Sequence, residues 1–194
     1  MQNEQYEVEM KFTVADVPAL ESSLRKLGGV ISEAKTEIDV YFAHPARNFA
    51  QTDEALRIRR KGMSNFITYK GPKIDAVTKT RHEIDLPLPL GDDTAAAWTG
   101  LLGSLGFSPV GEVRKSRRKA KVEWQGRNVE VSLDRIDRLG SFVELELLAP
   151  AEGVATARAC ILALAQALKL ASGERRSYLE LVLERCSPPC GMVE

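Results

Sequence analysis

Charged and apolar side chains alternate with period two along several segments of the chain. In the first of these, Glu7, Glu9 and Lys11 share one side, while Val8 and Met10 share the other. Further segments carry their charged or polar members at Arg57, Arg59 and Lys61; at Thr68 and Lys70; at Arg81, Glu83 and Asp85; at Lys115, Arg117 and Lys119; and at Glu144 and Glu146. Because successive side chains of a strand point to opposite faces of a sheet, the alternation predicts strands with one apolar and one charged face.

The charges on one strand often share a sign, as in the pairs Glu7 with Glu9 and Arg57 with Arg59. Alternation usually means an antiparallel sheet with its polar face in water. A solvated face would more often mix positive and negative charges, and the predicted helices carry apolar faces that can cover the hydrophobic side of the sheet. We therefore predict that the charged side faces inward, around a channel.

Turn residues and helical stripes divide the chain into strands with helices between them. Besides the first strand, we predict strands at 36–43, 55–61, 64–70, 79–86, 110–123, 127–134 and 141–148. Helices are expected after Asp16, and at 92–105, 154–170 and 177–185. Mostly antiparallel strands with few helices predict an α+β protein built on a barrel or a curled sheet. We expect a single domain over residues 1–186 and a flexible tail over 187–194.

The overall charge balance conceals local segregation. The chain carries 27 basic and 27 acidic side chains, which argues against bulk binding of nucleic acid and against a polybasic membrane anchor. Basic side chains nevertheless dominate residues 55–81 and 113–121. No apolar run is long enough for a membrane span, and the 3 cysteines form no disulfide framework, so we expect a cytoplasmic location.

The segregated charges indicate the class of ligand. Arginine presents a planar fork that matches phosphate oxygens, lysine adds a point charge, and clustered carboxylates are hard ligands for Mg²⁺ or Mn²⁺. A confined channel lined by these charges has an unfavourable free energy when no ligand is bound, because the charges are poorly solvated and incompletely paired. A metal–polyphosphate complex is the ligand that these residue types fit.

Several motifs, in order along the chain, then resemble one family. They are Glu7-Val8-Glu9-Met10-Lys11, Asp39-Val40-Tyr41-Phe42, Leu56-Arg57-Ile58-Arg59, Thr68-Tyr69-Lys70-Gly71-Pro72, Arg81-His82-Glu83, Lys115-Ser116-Arg117, Leu133-Asp134, Leu139-Gly140-Ser141-Phe142-Val143-Glu144-Leu145-Glu146 and Arg176-Ser177-Tyr178. Together they resemble the CYTH superfamily, or triphosphate tunnel metalloenzymes, over about residues 5–182. The stretches at 44–49 and 52–57 most resemble bacterial and archaeal members described as class IV adenylyl cyclases.

The resemblance implies an eight-stranded antiparallel barrel, the triphosphate tunnel, with helices packed outside. It assigns a divalent ion, Mg²⁺ or Mn²⁺, to Glu7, Glu9, Asp134, Glu144 and Glu146. It assigns the triphosphate to Lys11, Arg57, Arg59, Lys70, Arg81, Lys115, Arg117 and Arg176. The groups expected to take part in catalysis are Glu7, Glu9, Lys11, Lys70, Lys115 and Arg117. Glu83 matches an acidic family position that orients basic neighbours or reaches the metal through water, and Tyr178 is expected to help close one end.

The motifs leave the reaction open. An adenylyl cyclase converts ATP to cyclic AMP and pyrophosphate, whereas a triphosphatase hydrolyses thiamine triphosphate, inorganic tripolyphosphate or a nucleotide; both need similar triphosphate ligands. A non-catalytic nucleotide or polyphosphate binder is less expected, because it would gain little from the repulsive pairs Glu7–Glu9 and Glu144–Glu146. An RNA-binding module would need more aromatic residues than Phe66 and Tyr69 beside the basic strands. The oligomeric state stays open, a homodimer included.

Overall fold

The strands of the protein close into an antiparallel barrel. The structure, a computed structural model, describes residues 5–74, 78–171 and 173–186. Its strands are β1 (Gln5–Thr13), β2 (Lys35–Ala43), β3 (Ala55–Lys61), β4 (Ser64–Lys70), β5 (Arg81–Leu88), β6 (Ser108–Trp124), β7 (Arg127–Ile136) and β8 (Gly140–Pro150). Its helices are α1 (Val17–Lys26), α2 (Phe49–Thr52), α3 (Thr94–Ser104), α4 (Val154–Ala167) and α5 (Tyr178–Cys186).

The order of the strands around the barrel decides which charged strands face one another. Among the described residues the closed order is β1-β5-β4-β3-β2-β6-β7-β8. In this ring β1 and β2 lie four strands apart in either direction, so they face each other across the lumen. Closure depends on β1, which pairs with β8 from Gln5↔Pro150 to Thr13↔Phe142 but with β5 only at Tyr6↔His82 and Glu7↔Arg81. The predicted eight-stranded antiparallel barrel is confirmed.

The apolar faces of the strands point outward and are covered by the helices. The largest apolar cluster joins Val8 and Leu145 of the barrel to Leu24 of α1 and to Ile161 and Leu164 of α4, all of them buried. A second cluster lies under α5, and a third lies between β3 and α3. Apolar burial, the dominant favourable contribution to folding, is therefore obtained outside the barrel wall, which leaves the charged faces to line the lumen.

Two tight turns join strands that were predicted from the sequence. Residues Gln125 and Gly126 have φ of 51° and 71° and join β6 to β7, and Gly62 with φ of 57° lies between β3 and β4. Positive φ at both central positions of Gln125-Gly126, and at the first central position of Gly62-Met63, matches the right-handed twist of antiparallel strands, so both turns suit two-residue hairpins.

Some boundaries differ from prediction. The predicted helix over 154–170 ends at Ala167, and Lys169 just beyond it has a φ of 56°, which ends the helix in the left-handed region. Strand β5 begins at Arg81 rather than at residue 79, and the short helix α2 was not predicted. The predicted flexible tail over 187–194 lies outside the described residues. None of the helices in the described ranges is long and apolar enough to span a membrane.

Candidate functional site

The lumen forms a charged cavity of about 200 Å³. The predicted site residues that line it are Glu7, Glu9, Lys11, Arg57, Arg59, Lys70, Arg81, Lys115, Arg117, Glu144 and Glu146. Lys79, Glu83, Lys119, Glu130 and Tyr178 also contribute to the lining. The strand alternation therefore brings together most of the residues that were predicted from the sequence, although they come from separate parts of the chain.

Carboxylates dominate the side of the lumen formed by β1, β8 and β7. We call Glu7, Glu9, Glu130, Glu144 and Glu146 the acidic wall. Glu146 is directly opposite Glu9 in the β1–β8 register and directly opposite Glu130 in the β7–β8 register. Side chains at opposite positions lie on the same face of a sheet, and like charges placed there repel. The acidic wall therefore carries three adjacent carboxylates across neighbouring strands.

This crowding favours the protonated form of two carboxyls. Burial, followed by the charges of Glu7 and Glu9, raises the pKa of Glu146 to about 8. Burial also raises the pKa of Glu7 to about 6, although the Lys70 ammonium opposes the change. Glu146 makes no ion pair with a described residue, whereas Glu7 is paired with Lys70. Negative charge at Glu146 therefore lacks a partner within the described part of the chain.

Lysines and an arginine from other parts of the chain neutralise part of the acidic wall. Lys70 contacts Glu7 and lies 2.6 Å from Glu83, and Lys79 donates to Glu9 at 2.8 Å. Arg117 reaches Glu144 from β6, and with further help from Lys79 and Lys11 it holds the pKa of Glu144 well below its usual range, against the effect of burial. The carboxylates are thus distributed among several cations rather than converging on one point.

The opposite side of the lumen is dominated by cations. We call Arg57, Arg59, Lys115 and Arg117, together with the β2 acids Glu37 and Asp39, the basic wall. Arg59 donates from Nε and Nη2 to both oxygens of Asp39, at 2.6 and 2.7 Å, and Lys115 donates to Asp39 at 3.2 Å. Burial opposes the ionisation of Asp39, but Lys115, Arg57 and Arg59 outweigh it and hold its pKa well below the usual range.

Two buried atoms of the basic wall lack hydrogen bonds. Glu37 Oε2 has Arg59 Nε and Lys115 Nζ both at 3.5 Å, yet it accepts no hydrogen bond, and Arg57 Nε has no acceptor among the described residues. The cations Arg59, Arg117 and Lys115 overcome the effect of burial and lower the pKa of Glu37 to about 2. An unpaired, buried guanidinium donor at Arg57 indicates that the basic wall can bind an additional anion.

Two luminal lysines also indicate that cations are in excess. Burial, followed by the charges of Arg117 and Arg59, lowers the pKa of Lys115 to about 8. Burial, followed by the charge of Lys79, lowers the pKa of Lys11 to about 7. The Lys11 ammonium lies 4.0 Å from the ring centroid of Tyr178. A polyanion in the lumen would favour the charged form of both lysines.

Asp134, predicted as a metal ligand, lies behind the lining of the cavity. It forms a bidentate pair with Arg117, whose Nε donates at 2.6 Å, and it accepts a hydrogen bond of 2.8 Å from the hydroxyl of Tyr178. Its carboxylate is fully buried. In this arrangement Asp134 orients Arg117, and its oxygens are already engaged by that guanidinium and that hydroxyl.

Arg176, predicted to bind the triphosphate, does not line the cavity. Its guanidinium is 48% exposed and pairs with Glu174 and, at 2.6 Å, with Glu184. The main-chain carbonyl of Arg176 instead accepts a hydrogen bond from Lys11. The neighbouring Ser177 begins α5, since it accepts from the Glu180 amide at 3.1 Å while its own amide donates to the Glu180 carboxylate. This capping box places Tyr178 at the end of the lumen.

Four charged residues were not assigned to the site from the sequence: Lys79 and Glu130 line the cavity, and Glu37 and Asp39 contact cations of the basic wall. Lys79 follows the same alternation as Arg81 and Glu83, so continuing the pattern by two residues would have found it. Glu37 and Asp39 share a face of β2, but their role in orienting cations depends on β3 and β6, which pair with β2 from either side. That information is present only once the strand order is known.

The donor set fits a divalent cation in its chemistry, although it is not preassembled. Within the described ranges, no three acidic, imidazole or thiol side chains are arranged to hold a metal ion. Glu146 nevertheless presents a carboxyl without an ion pair to any described residue, and burial, followed by the charges of Glu7 and Glu9, raises its pKa. Hard carboxylate oxygens that lack a counter-charge suit Mg²⁺ or Mn²⁺.

A second, more apolar cavity adjoins the lumen. Its volume is about 690 Å³, and it shares Tyr41, Ala55, Arg81 and Ser177 with the charged lining. We call it the mouth pocket; its other lining residues include His44, Phe49, Ala50, Leu56, Val110, Leu179 and Leu183. The volume falls within the range of small-molecule sites, roughly 300–1,000 Å³.

Charged groups around the mouth pocket are engaged with one another. Glu54 pairs with Arg47 at 3.0 Å and accepts hydrogen bonds from Thr52 and Tyr69, both at 2.6 Å. The His44 ring packs edge-on against Phe107, with centroids 5.1 Å apart. The pocket thus offers apolar and aromatic surface and paired charges.

A closed antiparallel barrel with opposed acidic and basic walls defines a charged-tunnel β-barrel protein. The family model of the CYTH domain matches residues 5–178, which is most of the sequence. The chain therefore belongs to the CYTH domain family, and the resemblance identified from its motifs is confirmed.

Similar proteins agree with this membership. A Methanocaldococcus jannaschii protein named "putative adenylate cyclase" is 39% identical over 140 residues, which cover 72% of this chain and 75% of that protein. A solved structure of a Pyrococcus horikoshii protein has a TM-score of 0.80 at 38% identity and covers 92% of this chain and 99% of that one. A Hippeastrum protein described as a "putative adenylyl cyclase" with dominant triphosphatase activity shares the fold, with a TM-score of 0.61 at 13% identity and coverage of 95% and 98%.

Proposed function

We propose that this protein is a divalent-metal-dependent enzyme that acts on a nucleoside triphosphate bound in the lumen. The observation that carries the proposal is the pairing of two opposed walls, one with carboxylates in excess and the other with an unpaired guanidinium donor. A metal–triphosphate complex satisfies both, because its cation matches Glu146 and its anionic oxygens match Arg57. Membership of the CYTH family supports the same class of ligand.

The favoured reaction is that of a class IV adenylyl cyclase. The naming of the M. jannaschii relative supports this reaction, and the mouth pocket offers apolar space for a nucleoside next to the lumen. The pocket carboxylate Glu54 is already paired with Arg47, which suits an uncharged base better than a cationic ring. In this reaction a bond forms between the ribose 3′-oxygen and the α-phosphorus, while the bond from that phosphorus to the bridging oxygen breaks and releases pyrophosphate.

The side chains have distinct roles in this scheme. Arg57, Arg59, Lys115 and Arg117 bind the phosphate oxygens and stabilise the charge that develops on them. Asp39 and Asp134 hold Arg59 and Arg117 in position through bidentate contacts. Glu7, Glu9, Glu144 and Glu146 would hold Mg²⁺ or Mn²⁺, which when bound supplies Lewis acidity at the phosphate oxygens. Lys11, Lys70 and Arg81 complete the anion-binding set.

A triphosphatase is the second candidate. The Hippeastrum protein, whose fold is similar, is described as having dominant triphosphatase activity. In this reaction a water oxygen forms a bond to the terminal phosphorus while the bond from that phosphorus to the bridging oxygen breaks, so that the diphosphate leaves and orthophosphate is formed, with the same side chains binding the triphosphate. The two reactions differ in which phosphorus lies next to the nucleophile.

A product assay distinguishes the candidates. Purified protein would receive ATP, inorganic tripolyphosphate or thiamine triphosphate with Mg²⁺ or Mn²⁺. Cyclic AMP with pyrophosphate identifies the cyclase, and orthophosphate identifies the triphosphatase. Binding of all three without turnover would contradict both and leave a non-catalytic binder.

Two matched pairs of variants test the site assignments. Glu7→Gln is expected to lower metal-dependent turnover at least about 10-fold, whereas Glu123→Gln, at an exposed position of β6, leaves it unchanged.

Ala50→Trp fills the mouth pocket and is expected to weaken binding of ATP but not of inorganic tripolyphosphate. Ala96→Trp, on the exposed face of α3, is its control. Equal loss of both ligands in Ala50→Trp would argue against the nucleoside assignment.

A further inference from the structure

Lys79 reaches the acidic wall from the connection between β4 and β5 rather than from within a strand. Its Nζ donates to Glu9 Oε1 at 2.8 Å, and its main-chain amide donates to the Glu9 carbonyl at 2.9 Å. Its backbone is therefore fixed to β1, while its ammonium ends a flexible stem on a carboxylate that is proposed to hold the metal.

The surroundings of Lys79 distinguish it from a surface lysine. It is 6% exposed, and the flanking Thr78 and Thr80 are buried, with their hydroxyls 2.6 Å apart. Lys73, on the same connection, instead pairs with Asp53 at 2.7 Å, and Lys73 does not line the lumen. Of these two lysines, one is thus directed into the lumen and the other away from it.

The position of Lys79 is electrostatically crowded. Its ammonium lies beside that of Lys11, and after burial it is the largest cause of the lowered pKa of Lys11. The two lysines share the field of Glu9 and Glu144, which raise the pKa of Lys79 against the effect of burial. The carboxylates of the acidic wall therefore favour the charged form of Lys79, whereas the charged form of Lys11 is disfavoured beside it.

We infer that Lys79 is a built-in counter-ion: it occupies Glu9 when no metal is bound, leaves Glu9 when a divalent cation binds, and then binds the triphosphate. The inference rests on the proposed function, since it takes Glu9 as a metal ligand. A divalent cation on Glu9 would face an ammonium only 2.8 Å from the same carboxylate, and like charges at that separation repel strongly. Released from Glu9, the ammonium has the polyanion in the same lumen as its nearest opposite charge.

This exchange makes metal and triphosphate binding cooperative. Metal binding alone displaces the counter-ion from its partner, which weakens binding, whereas a triphosphate gives the displaced ammonium a new partner. By linkage, each ligand then increases the affinity of the other by the same factor. A lysine with a purely structural role would not contribute to that factor.

Calorimetric titration with Mn²⁺ tests the inference without requiring turnover. Lys79→Met keeps the length of the stem and removes the charge, so it is expected to bind Mn²⁺ about 10-fold more tightly than the wild type in the absence of triphosphate. The gain in Mn²⁺ affinity on adding inorganic tripolyphosphate should fall by a similar factor. Lys73→Met is expected to match the wild type in both titrations.

Two outcomes separate failure of this inference from failure of the proposed function. If wild-type protein binds no Mn²⁺ even with tripolyphosphate, the metal assignment itself is wrong. If wild-type protein binds Mn²⁺ but Lys79→Met has equal or lower affinity and unchanged cooperativity, only the role of Lys79 is refuted.

Amine labelling of the wild-type protein gives an independent test that does not depend on a variant folding. Lys79 is expected to react slowly with an acylating reagent when a chelator keeps the protein free of metal. It should react faster when Mn²⁺ is bound, and slowly again when Mn²⁺ and tripolyphosphate are both bound. The reactivity of Lys73, followed in the same peptide-mass experiment, should not change in this order. Labelling of Lys79 that is unaffected by Mn²⁺ would overturn the inference.

Discussion

The acidic and basic walls belong to one barrel and are similarly buried, yet the pKa values of Glu146 on the acidic wall and Glu37 on the basic wall are shifted in opposite directions. On the basic wall, burial is outweighed by the surrounding cations, so the pKa of Glu37 falls to about 2. On the acidic wall, burial and the neighbouring carboxylates raise the pKa of Glu146 to about 8. Glu144, also on the acidic wall, has a lowered pKa instead, because Arg117 reaches it from β6 and outweighs the effect of burial.

The difference shows that burial alone does not set the behaviour of a luminal carboxylate. What decides it is the number of cations that strand pairing brings within a few ångströms. On β2, Glu37 and Asp39 lie between the cations of the basic wall and reduce the repulsion among them. On β1 and β8, the acids remain partly uncompensated, which is the state in which an added cation is bound most favourably.

The largest effect is expected at Asp39. Asp39→Asn leaves Arg57, Arg59 and Lys115 without their common carboxylate, and removing one partner of a buried ion pair costs about 3–5 kcal/mol of unfolding free energy. Urea unfolding monitored by circular dichroism measures the change. If the free energy of unfolding fell by less than about 1 kcal/mol, Asp39 would not be needed to compensate the charges of the basic wall.

A smaller, pH-dependent effect is expected at Glu37. Its pKa is about 2 in the folded protein and 4.5 ordinarily, so its contribution is complete above pH 4.5 and is lost as the pH falls toward 2. The contribution amounts to about 3 kcal/mol. Glu37→Gln should lose it near neutral pH and unfold with a shallower pH dependence in this range. Parallel curves for variant and wild type would contradict the assignment.

The opposite sign is expected on the acidic wall. Because the folded-state pKa of Glu146 is raised from 4.5 to about 8, ionisation costs stability progressively as the pH rises through that interval. Without metal, Glu146→Gln should therefore gain about 3 kcal/mol of unfolding free energy at pH 7. The same variant should bind Mn²⁺ at least about 10-fold more weakly. Loss of stability in the absence of metal would remove the distinction between the two walls.

The smallest effect is expected for a surface pair outside both walls. Glu21 contacts Arg118 and, at 3.1 Å, Arg25, which is 61% exposed. Glu21→Gln should change the free energy of unfolding by less than about 1 kcal/mol, because solvent screens such pairs. Comparing the change in unfolding free energy of Glu21→Gln with those of Asp39→Asn and Glu37→Gln shows how much of the latter two effects comes from burial in the barrel. A loss comparable to that of Asp39→Asn would mean that burial is not the cause.

Much of the site was predictable because strand alternation is a local property. Glu9, Arg57 and Lys115 were each assigned to an inward face by the residues beside them in sequence, and all line the lumen. The contacts of Asp134 and Arg176 were not predictable in this way. Asp134 is engaged by Arg117 and Tyr178, and Arg176 by Glu184, through contacts that depend on how β6, β7 and α5 pack.

The sequence by itself determined the strands, the inverted polarity of their faces and the types of charged side chain that line the lumen, since each follows from residue type and spacing along a short segment. Only the tertiary structure decided which charges face one another. Closing the barrel puts β1 across from β2, directs Lys79 onto Glu9 and leaves Glu146 without an ion pair to any residue that the structure describes. The physical reason is that electrostatic energy depends on separation in space, and residues distant in sequence acquire their separations only when the barrel closes.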